Sequence, residues 1–394
     1  MPATKLTYRI AAALILCIGA VGSLPATERW VAYLPYAEFV DEYHDNRSHL
    51  WVVDLGDGTV LARVEVGPMW GDIQVVDGMA RVFVLAHPTD ASSEIVAVST
   101  RTLEIVDRIE LPWTAKALEY DEVEELLYTL RSDGNQLVAI DPRHGVTATY
   151  DLSQNARGLR MIRGSRWLML QTSSLNSLIW DLDNASPGFS LPSTYRSPML
   201  SSDGSRIYAM SAFPESLHEF DVSNGQMLRV TPTPSLGRIG ILEHTDIDGV
   251  LRLGSGRGMG TFHSETGVFQ HRFPLPGQTY TSGVAFVGDK LVVAAPNTLL
   301  LCLPMIPCDT TPPPGYVWVV DTHTGEIVLD VALPRGGALV SGRFVGRLGI
   351  PPTAVAIDAV SAIGRLLLAL GILGLALRCF RRKAGGGQAR PSIG

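Results

Sequence analysis

The middle of the chain repeats one pattern of apolar and polar positions. A short apolar strand ends in a polar residue, a turn follows, and a second strand begins. The cleanest copies are Leu50-Trp51-Val52-Val53 closed by Asp54, with Gly58, and Val317-Trp318-Val319-Val320 closed by Asp321, with Gly325. Leu137 to Ile140 with Asp141 and Gly145, and Leu217 to Phe220 with Asp221 and Gly225, follow the same rule. In each copy Gly stands four residues after Asp. The Asp side chain can accept hydrogen bonds from the turn backbone, and Gly supplies the positive φ at which the next strand starts. This is the chemistry of a β-hairpin.

Three weaker copies fill the gaps. They are Ile95 to Ser99 with Leu103, Leu178-Ile179-Trp180-Asp181 with Ala185, and Thr261-Phe262-His263 with Gly267. The seven markers Asp54, Ser99, Asp141, Asp181, Asp221, His263 and Asp321 are spaced 45, 42, 40, 40, 42 and 58 residues apart. A period near ~40–45 residues built of short strands predicts propeller blades. Another strand precedes most markers, as at Arg81 to Val84, Arg166 to Leu170 and Arg206 to Ala209. The first blade, starting at Trp30 to Tyr33, lacks an innermost strand. A spare strand around Leu339 to Val345, after Ile327 to Leu333, is expected to supply it. The expected fold is therefore all-β: one seven-bladed β-propeller over 30–345, closed by strands from both of its ends.

The Asp-x-x-x-Gly copies, together with Ser201-Ser202-Asp203-Gly204-Ser205-Arg206-Ile207-Tyr208, resemble the YVTN-type repeats of secreted bacterial propellers. The layout also resembles the wider quinoprotein amine dehydrogenase β-chain-like propellers. That resemblance implies a scaffold or subunit role, since the β-chain of that family carries no catalytic quinone itself. Fold of this type does not specify function.

The two ends carry the long apolar runs. Lys5 and Arg9 precede Ile10 to Val21, and small residues follow at Gly22, Ser23 and Ala26, so residues 1–26 read as a signal peptide. Residues 346–358 read as a linker. Ala359 to Phe380 is long enough to cross a bilayer as a C-terminal transmembrane helix, with Arg365 near one end. Arg378, Arg381, Arg382 and Lys383 mark the cytoplasmic side, and 381–394 form a cytoplasmic tail. Ile350-Pro351-Pro352-Thr353, the apolar run and the Arg cluster together resemble a bacterial protein-sorting tail. The expected location is the cell membrane, single-pass, with the propeller on the periplasmic or extracellular side.

Eight of the 32 basic residues and one of the 39 acidic residues lie in 1–26 and 350–394, which leaves a charge of −14 between them. So acidic a domain, with no basic run, is a poor nucleic-acid binder, and no nucleic-acid partner is expected. Cys17 and Cys379 lie in the ends. Cys302 and Cys308 are the two cysteines of the exported part and are expected to form a disulfide. The seven-residue loop it closes corresponds to ~2.4 kcal/mol of chain entropy.

Two connections between the second and third strands of a blade are long: Pro35 to Ser48 in blade 1 and Pro296 to Gly315 in blade 7. These blades are neighbours across the closure, so both insertions are expected on one face. The first holds Asp41, Glu42, His44 and Asp45, with His49 just after it. Such types can bind a cation or act as a general base, and these five are the candidate binding residues. No His-x-His or His-x-x-x-His spacing is present, so no metal site is assigned. The second insertion is apolar around Cys302. Gly254 to Gly260 is Gly-rich but lacks the Lys-Ser/Thr ending and the following helix of a phosphate loop. There is no nucleophile elbow, and no catalytic residue or cofactor is assigned. The chain reads as a membrane-tethered, non-catalytic binding or scaffold module of the cell envelope. The alternative is an enzyme or enzyme subunit, lactonase-like or quinoprotein-associated, using the channel face. Polar side chains converging at the channel would favour that alternative; a dry channel would favour the scaffold.

Overall fold

In the computed structural model the described residues are 29–349, apart from 40–45, 173, 175, 213–214, 234–235, 237–238, 246, 276–282, 296–314, 334–335 and 339. They fold into seven antiparallel sheets, taken in chain order as seven blades of a β-propeller. Blades 2 to 7 span Met69–Leu111, Ala115–Asp151, Ala156–Leu191, Arg196–Pro232, Ile239–Pro274 and Gly283–Ala332, each with four consecutive strands. Blade 1 is built on Trp30–Phe39, Asn46–Asp54 and Val60–Glu65.

All seven marker turns have the expected geometry. The fourth residue after the marker has positive φ in every copy: Gly58, Leu103, Gly145, Ala185, Gly225, Gly267 and Gly325, with φ from 47° at Ala185 to 88° at Gly145. The side-chain oxygens of Asp54, Asp141, Asp181, Asp221 and Asp321 each accept the N–H two residues on, at 2.6–2.9 Å. Ser99 does the same through its hydroxyl, toward the N–H groups of Arg101 and Thr102 at 3.2 Å. A register shift just before the turn in six blades, and farther back at Met259/Gly260 in blade 6, marks the bulge that lets a strand turn back with the right-handed twist. The weaker copies thus make the same turn without glycine or without aspartate.

The middle strands carry continuous buried apolar runs, as at Val82 to Ala86 and Leu137 to Ile140, so both faces of each sheet are buried between neighbours. One cluster joins blades 7, 1 and 2 through Val292, Val317, Tyr36, Trp51, Val84 and Val98. The remaining five clusters lie between blades 2 and 3, 3 and 4, 4 and 5, 5 and 6, and 6 and 7. Hydrophobic packing therefore runs unbroken around the ring. A large side chain such as Phe220, fully buried, contributes about 2–3 kcal/mol.

The closure is more divided than one spare strand. Gly336–Ala338 and Val345–Arg347 both pair antiparallel with Trp30–Phe39 and complete blade 1. Between them Ser341–Arg343 pairs in parallel with Met69–Val76, the innermost strand of blade 2. The chain end is thus stitched to two blades. Gly342 permits this: its φ is 108°, and a Cβ there would collide with the backbone carbonyl of Ile73.

Among the described residues no helix is long and apolar enough to cross a membrane. The expected signal peptide, membrane helix and tail lie outside the described residues, as do 350–358 of the expected linker, Cys302 and Cys308; the linker's first residues, Gly346 and Arg347, belong instead to the closing strand Val345–Arg347.

Candidate functional site: charged residues around the central channel

In a propeller the innermost strands surround the central channel. Here several place a charged or amide side chain at equivalent positions: Gln74, Glu119, Arg160 and Glu243, each following an apolar residue. At these points polar side chains of neighbouring blades meet.

Glu119, on Ala115–Asp121 of blade 3, is buried. Its Oε1 accepts a hydrogen bond from Arg160 Nη1 of blade 4 at 3.2 Å. Burial pushes its carboxyl above the usual range, and the Arg160 guanidinium opposes that rise. Gln74 is buried beside it in blade 2 and donates Nε2–H to Leu118 O at 2.6 Å. In blade 6, Glu243 Oε2 accepts both Nε–H and Nη2–H of Arg252, at 2.9 and 2.7 Å. Arg252 also donates to Gly288 O and lies 4.2 Å over the Phe286 ring. Arg343, in the closing segment, donates to Glu122 Oε1 and to Asp77 Oδ2, both at 2.8 Å. The same Asp77 accepts the Arg347 N–H.

Arg163 stands in the turn after the inner strand of blade 4. Its backbone N–H donates to Pro198 O and its carbonyl accepts Leu200 N–H, which fixes it to blade 5. Its Nη1 reaches on to Leu242 O of blade 6 at 3.2 Å. One residue therefore links three successive blades. Arg163 is exposed to solvent, yet flanked by blades 4, 5 and 6. Desolvation lowers its pKa, against the favourable fields of Glu243 and Glu119 and with the unfavourable field of Arg343.

A separate cleft of about 270 Å³ opens between blades 5 and 6. It is lined by Ser201, Asp203, Tyr208, His244, Asp248 and Glu265, among others. Asp203 is lowered to about 2 by hydrogen bonds from the Ser201 hydroxyl and from the Ser205 backbone and side chain.

Of the five candidate binding residues, Asp41, Glu42, His44 and Asp45 lie outside the described residues. His49 is described. It pairs with Tyr36 and Glu65 across its sheet, and its Nδ1 is buried with no hydrogen-bond partner among the described residues. Two positions along the same strand, Trp51 packs 5.3 Å from Tyr36 and carries Arg63 4.0 Å over its ring. Among the described residues no group of three or more His, Cys, Asp or Glu is arranged to hold a metal ion.

Two Ser–His contacts occur. Ser93 Oγ lies 2.9 Å from His87 Nδ1, and Ser216 Oγ lies 2.8 Å from His218 Nε2. Both serines are at most 2% exposed, out of reach of a substrate. Burial holds both histidines below their ordinary pKa, so they are neutral at pH 7. They act as hydrogen-bonded core residues.

The channel residues were not singled out by sequence reasoning, although a signal exists. Gln74, Glu119, Arg160 and Glu243 are 45, 41 and 83 residues apart, which is one, one and two repeats. A second polar period, in step with the turn markers, was there to be read.

No family model matches the chain, and no curated protein matches it in sequence. Solved structures match it in fold. A functionally unknown protein from Desulfotomaculum acetoxidans aligns with a TM-score of 0.56 at 11% identity, over 80% of this chain and 100% of that one. Dihydro-heme d1 dehydrogenase NirN, in complex with DHE, aligns at 0.53 and 12%, over 82% and 75%. The Cps50 (Swd1) β-propeller domain of Myceliophteria thermophila aligns at 0.53 and 12%, over 72% and 94%. At such identities the likeness concerns the fold alone. The class is that of the seven-bladed β-propellers.

Proposed function

We propose that this chain is a membrane-tethered binding or scaffold module of the cell envelope. In this reading residues 1–26 export the propeller, 359–380 anchor it, and 381–394 stay in the cytoplasm. The repeats relate it to the YVTN-type and quinoprotein β-chain-like propellers, and the tail to bacterial sorting tails. Cys302 and Cys308 pair in the oxidising compartment.

The observation that carries the reading is the adjacency of blades 1 and 7. The strands flanking 40–45 and 296–314 belong to blades joined by one apolar cluster. Both insertions connect the second and third strands of their blades, so they leave from the same face. His49, with its unpartnered Nδ1, stands at the foot of the first. Asp41, Glu42, His44, Asp45 and His49 would then contribute to a partner-binding rim.

Placement is tested by thiol labelling of Val123→Cys, a residue 67% exposed on the propeller. An impermeant reagent should label it in intact spheroplasts. Labelling only after lysis would put the propeller inside and end the proposal. Photocrosslinkers at 42 and 305 should capture the same envelope protein in cells, while one at Val146 should not.

The polar groups meeting at the channel favour a second reading, a ligand-handling centre of the enzyme or enzyme-subunit kind. The carboxylates Glu119, Glu243, Asp77 and Glu122 are each held by an arginine. That arrangement serves binding and positioning more readily than proton transfer.

A further inference from the structure

We propose that the turn end of the central channel binds the carboxylate of a small monoanionic ligand on Arg163. The inference is independent of where the protein sits in the cell and of any partner on the insertion face.

The argument starts from donors and acceptors. A guanidinium presents five N–H donors in a rigid planar fork. Arg160, Arg252 and Arg343, the other arginines of this region, each grip at least one carboxylate. Among the described residues Arg163 has no carboxylate within ion-pair distance. Its side chain makes one hydrogen bond, to the neutral carbonyl of Leu242, so most of its fork is open among the described residues.

Its surroundings make that opening consequential. Arg163 is anchored through its own backbone to blade 5 and through Nη1 to blade 6, so the fork is held in place before a ligand arrives. It is flanked by three blades yet exposed to solvent, so a small solute can reach the fork. The carboxylates that could neutralise it are bound elsewhere: Glu243 by two N–H groups of Arg252, Glu119 by Arg160. An anion from solution would supply the missing partner, and a planar carboxylate matches the fork with two parallel hydrogen bonds.

The same neighbours select the class of anion. Arg163 bonds the carbonyl next to Glu243 and stands three residues after Arg160, which binds Glu119, so both carboxylates lie close enough to repel a second negative charge. A singly charged carboxylate is therefore preferred over phosphate, much of which is doubly charged at neutral pH.

The test uses the purified full chain in detergent, titrated with acetate and, separately, with inorganic phosphate. Heat of binding and the side-chain nitrogen resonances of labelled arginine are followed. Acetate should saturate a single site in the millimolar range and shift one guanidinium, with phosphate binding more weakly. Arg163→Gln should weaken acetate at least tenfold without lowering the melting temperature. Arg163→Lys should recover part of the binding, because it restores charge without the fork. Arg101→Ala, in an outer turn of blade 2, should change nothing. The proposal is overturned if acetate fails to saturate, if phosphate binds more tightly, or if Arg163→Gln binds as the native chain does. Should Arg163→Gln not fold, the arginine resonances of the native chain decide: no guanidinium shift with acetate overturns it.

Discussion

The repeat of marker turns makes a two-sided prediction at positions four residues past the marker. Ala185 holds φ at 47°, where glycine stands in five of the seven copies. A non-glycine residue in the left-handed region costs ~1–2 kcal/mol, whereas glycine costs ~0.5–1 kcal/mol more backbone entropy on folding. The Ala185 side chain is exposed, so its removal loses little packing. Ala185→Gly should therefore stabilise by ~0.5–1 kcal/mol. Gly145, at φ 88°, is the mirror case, since a Cβ there would meet nothing within 4 Å. Gly145→Ala should destabilise by about the same amount, through strain alone. In a protein of this size the shift in melting temperature is roughly 1–3 °C either way. Leu103 is the internal control. It also holds positive φ, but its side chain packs on the cluster of blades 7, 1 and 2, so Leu103→Gly should lose what it gains. Differential scanning fluorimetry of the full chain, with urea unfolding, reads all three. A lower melting temperature for Ala185→Gly, or an unchanged one for Gly145→Ala, would refute the account of the turns.

The other predictions address closure and charge. Gly342→Ala should unseat the parallel pairing of Ser341–Arg343 with blade 2, raising amide exchange at Asp72 to Gln74 as well as at the closing segment; exchange unchanged in blade 2 would show that the stitch carries no stability. Glu119 has a carboxyl pKa raised by burial, so the folded state keeps its proton to higher pH than the unfolded chain does, and its contribution to stability falls as pH rises through and beyond ~4.3. The stability difference between native protein and Glu119→Gln should therefore shift against the native chain as pH rises from 4 to 7, and a difference flat with pH would contradict this. Asp203, lowered to about 2, contributes stability that is present above ~3.9 and lost as pH falls toward its folded value. Because the group is exposed, Asp203→Asn should cost under ~1 kcal/mol at pH 7, and carboxyl carbon NMR should show Asp203 titrating well below the other aspartates.

Much of the architecture was written locally. An aspartate whose side chain meets the N–H two residues on, and a glycine that accepts positive φ, are properties of five adjacent residues. They remain visible wherever the chain happens to lie. Their recurrence at near-constant spacing counts the blades, and the unpaired strand after Ile327–Ala332 foretells a closed ring. Ser99 with Leu103, and Asp181 with Ala185, were readable because hydroxyl and alanine can substitute in the same turn at a modest cost.

The channel belongs to a different level. Glu119 meets Arg160 across 41 residues, and Arg163 reaches Leu242 across 79. Whether such residues touch depends on the ring's radius, the twist of each sheet and the direction in which each inner strand presents its side chains. The division of the closing segment between blades 1 and 2 is of the same kind, since it turns on how closely Gly342 can approach the Ile73 carbonyl. Periodicity can say that a charge recurs in every blade or in every second one. Only the closed ring decides which of those charges find a partner, and among the described residues it leaves the fork of Arg163 without a carboxylate, while Arg252 and Arg160 hold Glu243 and Glu119.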